Sequence, residues 1–407
     1  MSADQRPSAP AGDSRALYVL FTVVFINMAG FGVVIPLLPF YAKSFGAPAW
    51  QVFVLFSAYS LGNLFAEPLW GRLGDRIGRR PVLMMTIAAN GLTYLALAFA
   101  PNMAVALVIR FVSGLMAGNI STIQGYVADV TPPNRRAARL GMMGAAFSLG
   151  FVTGPTLGGL LAHPENGTVG FRPPLFLAFG LCVLAFLGVL RFVKETRHLH
   201  ADAPARRRLD GLREAFKSPV IWRVLTVSLI SVGGFAGMEA SFGLWSEAKF
   251  GWGPKEIGLC FMVIGIVGAF GQSMLAGRAA RRFGETTVLI AGLVFIGVGF
   301  SIQPFVTHWQ VCLVGMIIVM IGQSLTFPNI GAVISHASPP AQQGEMLGLN
   351  MAAMALARIV GPLAAAPLFA LYVGGPFAAA ALLIIPALYM ATEVRRYVLR
   401  HAQSVAS

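Results

Sequence analysis

Four charged side chains lie deep inside stretches that are otherwise apolar: Glu67, Arg110, Glu239 and Arg358. On insertion scales a charge at the centre of a membrane helix costs roughly 2.5–3.5 kcal/mol, so each should face a partner or a water-filled path. Burial and a neighbouring cation pull a carboxylate's proton affinity in opposite directions, and a glutamate poised between them can load and release a proton near neutral pH. Glu67 and Glu239 are therefore candidate proton carriers, with Arg358 a counter-charge for either. Ser60, Asn63 and Glu67 fall at i, i+3 and i+7, a polar stripe along one helix face. The blander readings are a static Glu67–Arg358 ion pair, a Glu239 that only hydrogen-bonds a ligand, and an Arg110 held by backbone carbonyls. Asp129, near the end of its segment, reads as a helix-end contact.

The elements that must position these groups follow from composition. Hydrophobic residues make up 56% of the chain and charged residues 11%, where a soluble domain carries about a quarter charged. Apolar runs long enough to cross a bilayer, about 20 residues each, recur near 16–39, 50–70, 81–100, 104–128, 141–162, 174–193, 220–243, 255–276, 286–304, 309–333, 345–369 and 374–392. Of the 30 Lys and Arg, 24 fall in one alternate set of loops and tails, whereas Lys43, Arg172, Lys249 and Lys255 lie in the other. Positive loops stay cytoplasmic, so both termini are expected inside. The net charge of +14 is then a topology signal rather than a nucleic-acid footprint. Residues 1–15 read as a polar cytoplasmic tail rather than a signal peptide. A cytoplasmic linker at 195–218, with Pro204 and Arg206 to Arg208, divides the bundles 16–194 and 219–393, and 394–407 forms a second tail. Cys182, Cys260 and Cys312 sit inside apolar runs without metal-ligand spacing, and His198 and His200 lie in the linker, so neither a metal nor another cofactor is expected.

The two bundles are copies. Gly71 to Leu83 (GRLGDRIGRRPVL) recurs as Gly277 to Leu289 (GRAARRFGETTVL), and Gly141, Gly154 and Pro155 recur as Gly348, Gly361 and Pro362. The offset holds at 206 or 207, which marks a duplicated unit. A duplicated membrane unit points to a transporter with its site where the halves meet.

Gly71-Arg72-Leu73-Gly74-Asp75-Arg76-Ile77-Gly78-Arg79-Arg80 resembles the signature loop between the second and third helices of the major facilitator superfamily. Ile35-Pro36-Leu37-Leu38-Pro39, Arg110-Phe111-Val112-Ser113-Gly114, and the run from Gly150 to Gly159 (GFVTGPTLGG) resemble signatures of its twelve-helix drug:proton antiporters, the tetracycline exporters among them. The resemblance implies an all-α membrane protein of twelve helices in two pseudo-symmetric six-helix bundles. It also implies a conformational latch at Gly71, Asp75, Arg76, Gly78 and Arg79, reaching the start of helix 11 near Glu345 to Gly348. Arg110 would help control protonation of nearby carboxylates, and adjacency of helices 2 and 11 would favour Glu67 as the partner of Arg358. Gly150, Gly154, Pro155, Gly158 and Gly159 would form a tight seal, or ordinary close packing. The chain departs from the tetracycline exporters at Asn27, Thr93 and Gly292, where they carry acids. Its coupling groups are thus expected elsewhere, and a lipophilic or weakly cationic cargo is expected rather than tetracycline.

A mid-membrane substrate site would be lined by Asn27, Phe31, Tyr59, Asn63, Glu239, Phe242, Trp245, Gln272, Gln323, Asn350 and Met354, aromatic and Met surfaces giving adaptable contact and amides orienting the ligand. The expectation is a monomeric, multi-pass protein of a bacterial cytoplasmic membrane that exports small amphipathic molecules against protons, conferring drug resistance. The alternative is a metabolite transporter of the same superfamily. No nucleophile–base set or phosphate loop suggests an enzyme.

Overall fold

The computed structural model describes residues 14–195, 208–339 and 342–406. Residues 1–13 of the expected tail 1–15 and residues 196–207 of the expected linker, with His198, His200 and Pro204, lie outside the described residues. Among the described residues, twelve helical segments are long and apolar enough to cross a membrane: α1 (Ala16–Val34), α2 (Ala49–Ile77), α3 (Arg79–Ala98), α4 (Met103–Val130), α5 (Gly141–Leu161), α6 (Pro164–Phe192), α7 (Ile221–Phe250), α8 (Pro254–Phe283), α9 (Glu285–Phe305), α10 (Trp309–Ala337), α11 (Gln343–Leu371) and α12 (Gly375–Arg400). Leu92, Val108, Leu184, Leu382 and Ile385 are all more than half exposed. Such an apolar exterior suits a lipid surround and not water.

Pairing within the first half is repeated in the second. Helices α1 and α5, α2 and α4, α3 and α6, and α1 and α6 pack together, as do α7 and α11, α8 and α10, α9 and α12, and α7 and α12. Across the seam α2 packs on α11 and α5 on α8. Those two contacts exchange when six is added to or subtracted from each helix number, which is the mark of a pseudo-two-fold axis between the bundles. The backbone repeats as well: Gly78 (φ 107°) and Gly284 (φ 81°), 206 residues apart, each end one helix and begin the next. That conformation strains any residue bearing a Cβ. Even a side-chain contact recurs, with the carboxylate moved to the other partner. Arg79 Nε lies 3.5 Å from Asp129 Oδ2, and at the corresponding positions Glu285 Oε2 meets His336 Nδ1 at 2.9 Å.

Among the described residues, two membrane segments are interrupted away from their ends. In α4 the helix stops at Met116 and restarts at Ile120, across Gly118 and Asn119. In α8 the residues Gly271–Ala276 form a π-helical turn. Breaks of either kind often mark working positions, because they free backbone groups or re-aim a side chain.

The halves meet at the end away from the chain termini. Lys43 Nζ reaches Glu247 Oε2 there at 2.5 Å, Phe53 lies against Phe369, and Ser57 Oγ donates to the Ile359 carbonyl at 3.0 Å. At the opposite end an added Cβ on Gly141, Gly331, Gly344 or Gly348 would meet nothing within 4 Å.

Candidate functional site

The seam between bundles encloses a small cavity lined by Phe31 of α1, Phe56 and Ser60 of α2, Ala236 and Glu239 of α7, and Arg358 and Pro362 of α11. Its volume, ≈ 10 Å³, is about that of a single water position. Glu239 is buried, at 6% exposure, and its Oε1 has no hydrogen-bond partner among the described residues. Arg358 and Arg110 both act on it electrostatically. Arg110 is itself 2% exposed, with its guanidinium carbon 4.5 Å from the centre of the Tyr59 ring. Such stacking holds a desolvated guanidinium by about 2 kcal/mol. Tyr59 lies 5.0 Å from Phe31, so three helices of the first half hold this arginine in place.

Glu67 has different company. Its Oε2 accepts from the Ser121 amide at 3.2 Å, and the Ser121 hydroxyl donates to the Glu67 carbonyl at 3.3 Å. Ser121 is the second residue after the break in α4, where free amides and the helix dipole favour a carboxylate. The adjacency of α2 and α11 is real, yet Arg358 shares its cavity with Glu239 and not with Glu67. The static Glu67–Arg358 ion pair does not form here. Of the expected polar stripe, Ser60 donates to the Phe56 carbonyl of its own helix, and Asn63 is half-buried.

The other expected lining residues separate into groups. Asn27 donates to Asn119 Oδ1 at 2.7 Å, and Asn119 donates to Thr86 at 3.4 Å, a polar thread within the first bundle. Phe242 and Trp245 are fully buried among Phe250, Phe261 and Phe377 in the second bundle, away from the cavity. Gln323 donates to the Ser231 carbonyl at 3.4 Å. Asn350 and Met354 are buried and contact each other through Nδ2 and Sδ at 3.6 Å. Gln272 is exposed within the π-helical turn. Asn119, Thr86 and Ser121 were not among the expected residues. The Gly118-Asn119 pair interrupting the run 104–128 was the signal that could have found them.

The glycine motif packs in two directions. Gly150, Gly154 and Gly158 lie against the backbone of α1 in their own half, at Phe25, Ala29 and Val33. Gly159 and Pro155 lie against Pro254 and Gly258 of α8 across the seam. In the signature loop, Asp75 pairs with Arg79 at 2.7 Å in its own half, and the start of α11 at Gly348 faces open space. The expected Asp75 contact with α11 is not made in this conformation.

Residues 20–278 and 273–404 match the family profile of the Major Facilitator Superfamily. The chain belongs to that superfamily. It is a multi-pass membrane transporter and not an enzyme. The major facilitator chain is 26% identical over 369 residues to the quinolone resistance protein NorA of Staphylococcus aureus, covering 89% of this chain and 92% of NorA. It is 29% identical over 366 residues to the class C tetracycline resistance protein of Escherichia coli, covering 88% and 90%. Among solved structures it resembles a bacterial homologue of the human lysosomal transporter Spinster, in an inward-facing, unoccupied conformation. The TM-score is 0.79 at 14% identity, over 95% of this chain and 98% of that one. The human organic anion transporter MFSD10 gives a TM-score of 0.70 at 23% identity, over 93% and 99%. These structural likenesses establish the major facilitator fold.

Proposed function

We propose that this transporter exports small amphipathic molecules in exchange for protons, by alternating access between bundles 16–194 and 219–393. The observation that carries the reading is Glu239: a buried carboxylate at the seam, with one oxygen unpartnered and two arginines within its field. A group in that position can exchange a proton for a cargo donor as the seam opens to one side and then the other. The drug-resistance names of the relatives support the same reading. The excess of Lys and Arg at the terminus-bearing end supports cytoplasmic termini in a bacterial cytoplasmic membrane. In this orientation, cargo enters from the cytoplasm or inner leaflet, where the halves stand apart. The proton reaches Glu239 when the opposite end opens. Because the site lies between two halves of one chain, a monomer suffices.

The test uses everted vesicles with an acid-inside gradient and a panel of amphipathic drugs, read as substrate-induced proton release. Release that disappears in Glu239→Gln supports the proposal, with Glu67→Gln reporting whether the second acid contributes. Absence of release with every compound, from well-folded protein, overturns it. Flux of a polar metabolite indifferent to the gradient would instead favour an uncoupled metabolite transporter.

A further inference from the structure

Glu239 and Arg358 line one cavity from the packed helices α7 and α11, and no ion pair joins them. Glu239 Oε1 is buried and accepts no hydrogen bond among the described residues. Arg358 is exposed and forms no ion pair with a described residue. Arg110 adds a second positive charge acting on Glu239, held in place by Tyr59. Glu67 is not among the residues that line this cavity; its carboxylate lies at the break in α4, against the Ser121 amide. Around Glu239 there are thus two arginines to one acid.

That arrangement discriminates among ligand charges. A purely cationic ligand could satisfy Glu239, but it would add a third positive charge beside two arginines in a poorly solvated space. A purely anionic ligand could satisfy Arg358, but it would leave Glu239 Oε1 without a donor and place a second negative charge next to it. A neutral ligand without both a donor and an acceptor would leave one or both groups unpaired. A ligand with an ammonium and an acid on one frame satisfies both groups and adds no net charge. Phe31 and Phe56 line the same cavity, and Tyr59 lies 5.0 Å from Phe31, so the frame should be aromatic.

Resting on the export reading, we propose that the cargo class is zwitterionic: an aromatic molecule whose ammonium pairs with Glu239 and whose carboxylate pairs with Arg358. This differs from the sequence expectation of a lipophilic or weakly cationic cargo, which rested on the membrane glutamates alone. The cavity holds about one water-sized group in this conformation. The ammonium therefore enters it here, and the acid and rings follow, onto Arg358 and against Phe31 and Phe56, as the seam opens. The ammonium and a proton compete for the same carboxylate, so cargo binding displaces a proton. That is the sign an exchanger requires.

Three probes sharing one ring system separate the possibilities: naphthylalanine, its methyl ester with only the ammonium, and its N-acetyl derivative with only the carboxylate. Affinities are measured calorimetrically on the purified full-length protein in lipid nanodiscs. Naphthylalanine should bind at least tenfold more tightly than either single-charge derivative. Arg358→Gln should erase its advantage over the ester, and Arg358→Lys should retain part of it. Glu239→Gln should erase its advantage over the N-acetyl form. The wild-type ranking decides the matter even if a variant misfolds: an ester or N-acetyl probe that equals or beats naphthylalanine overturns the proposal. Failure of all three to bind, with drug-induced proton release intact, overturns the charge-pair assignment and leaves the export reading standing. Loss of proton release as well removes both.

Discussion

Lys43 and Glu247 meet at 2.5 Å across the seam, joining the short helix Leu38–Ser44, which follows α1, to the last turns of α7. Beside them Pro39 packs against Gly243, so the ion pair sits on an apolar seal rather than forming one. Both side chains are partly exposed, at 49% and 29%. A pair of that kind contributes about 0–1 kcal/mol, enough to shift a two-state equilibrium about fivefold at most.

Reversing one charge should therefore loosen the closed end without unfolding the protein. In Lys43→Glu, spin labels placed on either side of the seam should report a larger population of separated distances. The exchanged double variant, Lys43→Glu with Glu247→Lys, should return the distribution to that of the parent. If the double variant stays as open as the single one, the pair has no part in setting the balance between conformations.

Arg110 and Tyr59 give a second test, because the contact depends on a ring face and not on the hydroxyl. Tyr59→Phe should keep the protein's thermal stability within about 0.5 kcal/mol of the parent. Tyr59→Leu should cost about 2 kcal/mol, the scale of a desolvated cation–π contact. Equal losses in the two variants, measured as unfolding midpoints in detergent, would show that the hydroxyl or simple volume is what matters.

Much of this arrangement was legible in the sequence, and the reasons differ by level. The twelve spans follow from hydropathy, since a bilayer needs about 20 apolar residues per crossing, and the duplication follows from a constant offset. The ends were less accessible. Residues 220–243 were expected for the seventh span, whereas α7 continues to Phe250, its last turns being sheltered by aromatic packing that a hydropathy run does not register. The charged candidates were visible because a membrane makes each charge costly. Their pairing was not visible, since Glu67 and Glu239 are equivalent in type and only the rotation of each helix decides which sees Arg358. The same ambiguity left Trp245 indistinguishable from a cavity-lining aromatic. In the structure its ring lies 4.9 Å from Phe377 inside the second bundle.

Gly158 and Gly159 are neighbours in sequence that face opposite ways, and substitutions should separate their roles. A side chain at Gly158 would collide with the Val33 backbone in the same bundle, and one at Gly159 with the Pro254 backbone across the seam. Gly158→Val should lower folding yield and stability, by about 1–3 kcal/mol as overpacking does. Gly159→Val should leave the bundles folded but hold their ends apart, raising the reactivity of a cysteine placed at that end. Similar instability in both, with no change in accessibility for Gly159→Val, would mean the seam does not depend on this contact.

The carboxylate of Glu67 tests whether the break in α4 is held from outside. Its Oε2 accepts the Ser121 amide at the start of the helix Ile120–Val130, serving as an end cap supplied by another helix. Caps of this kind contribute about 0.5–2 kcal/mol, and a charged acceptor is favoured there by the helix dipole. Glu67→Gln retains an acceptor oxygen but loses the charge, whereas Glu67→Ala removes both. Amide exchange at residues 121–123 should therefore rise a few-fold in the first variant and about tenfold in the second, while exchange in α5 stays unchanged. If the amides of that turn are equally protected in parent and Glu67→Ala, the break is held by the Asn27–Asn119–Thr86 thread alone, and Glu67 is free to act elsewhere in the cycle.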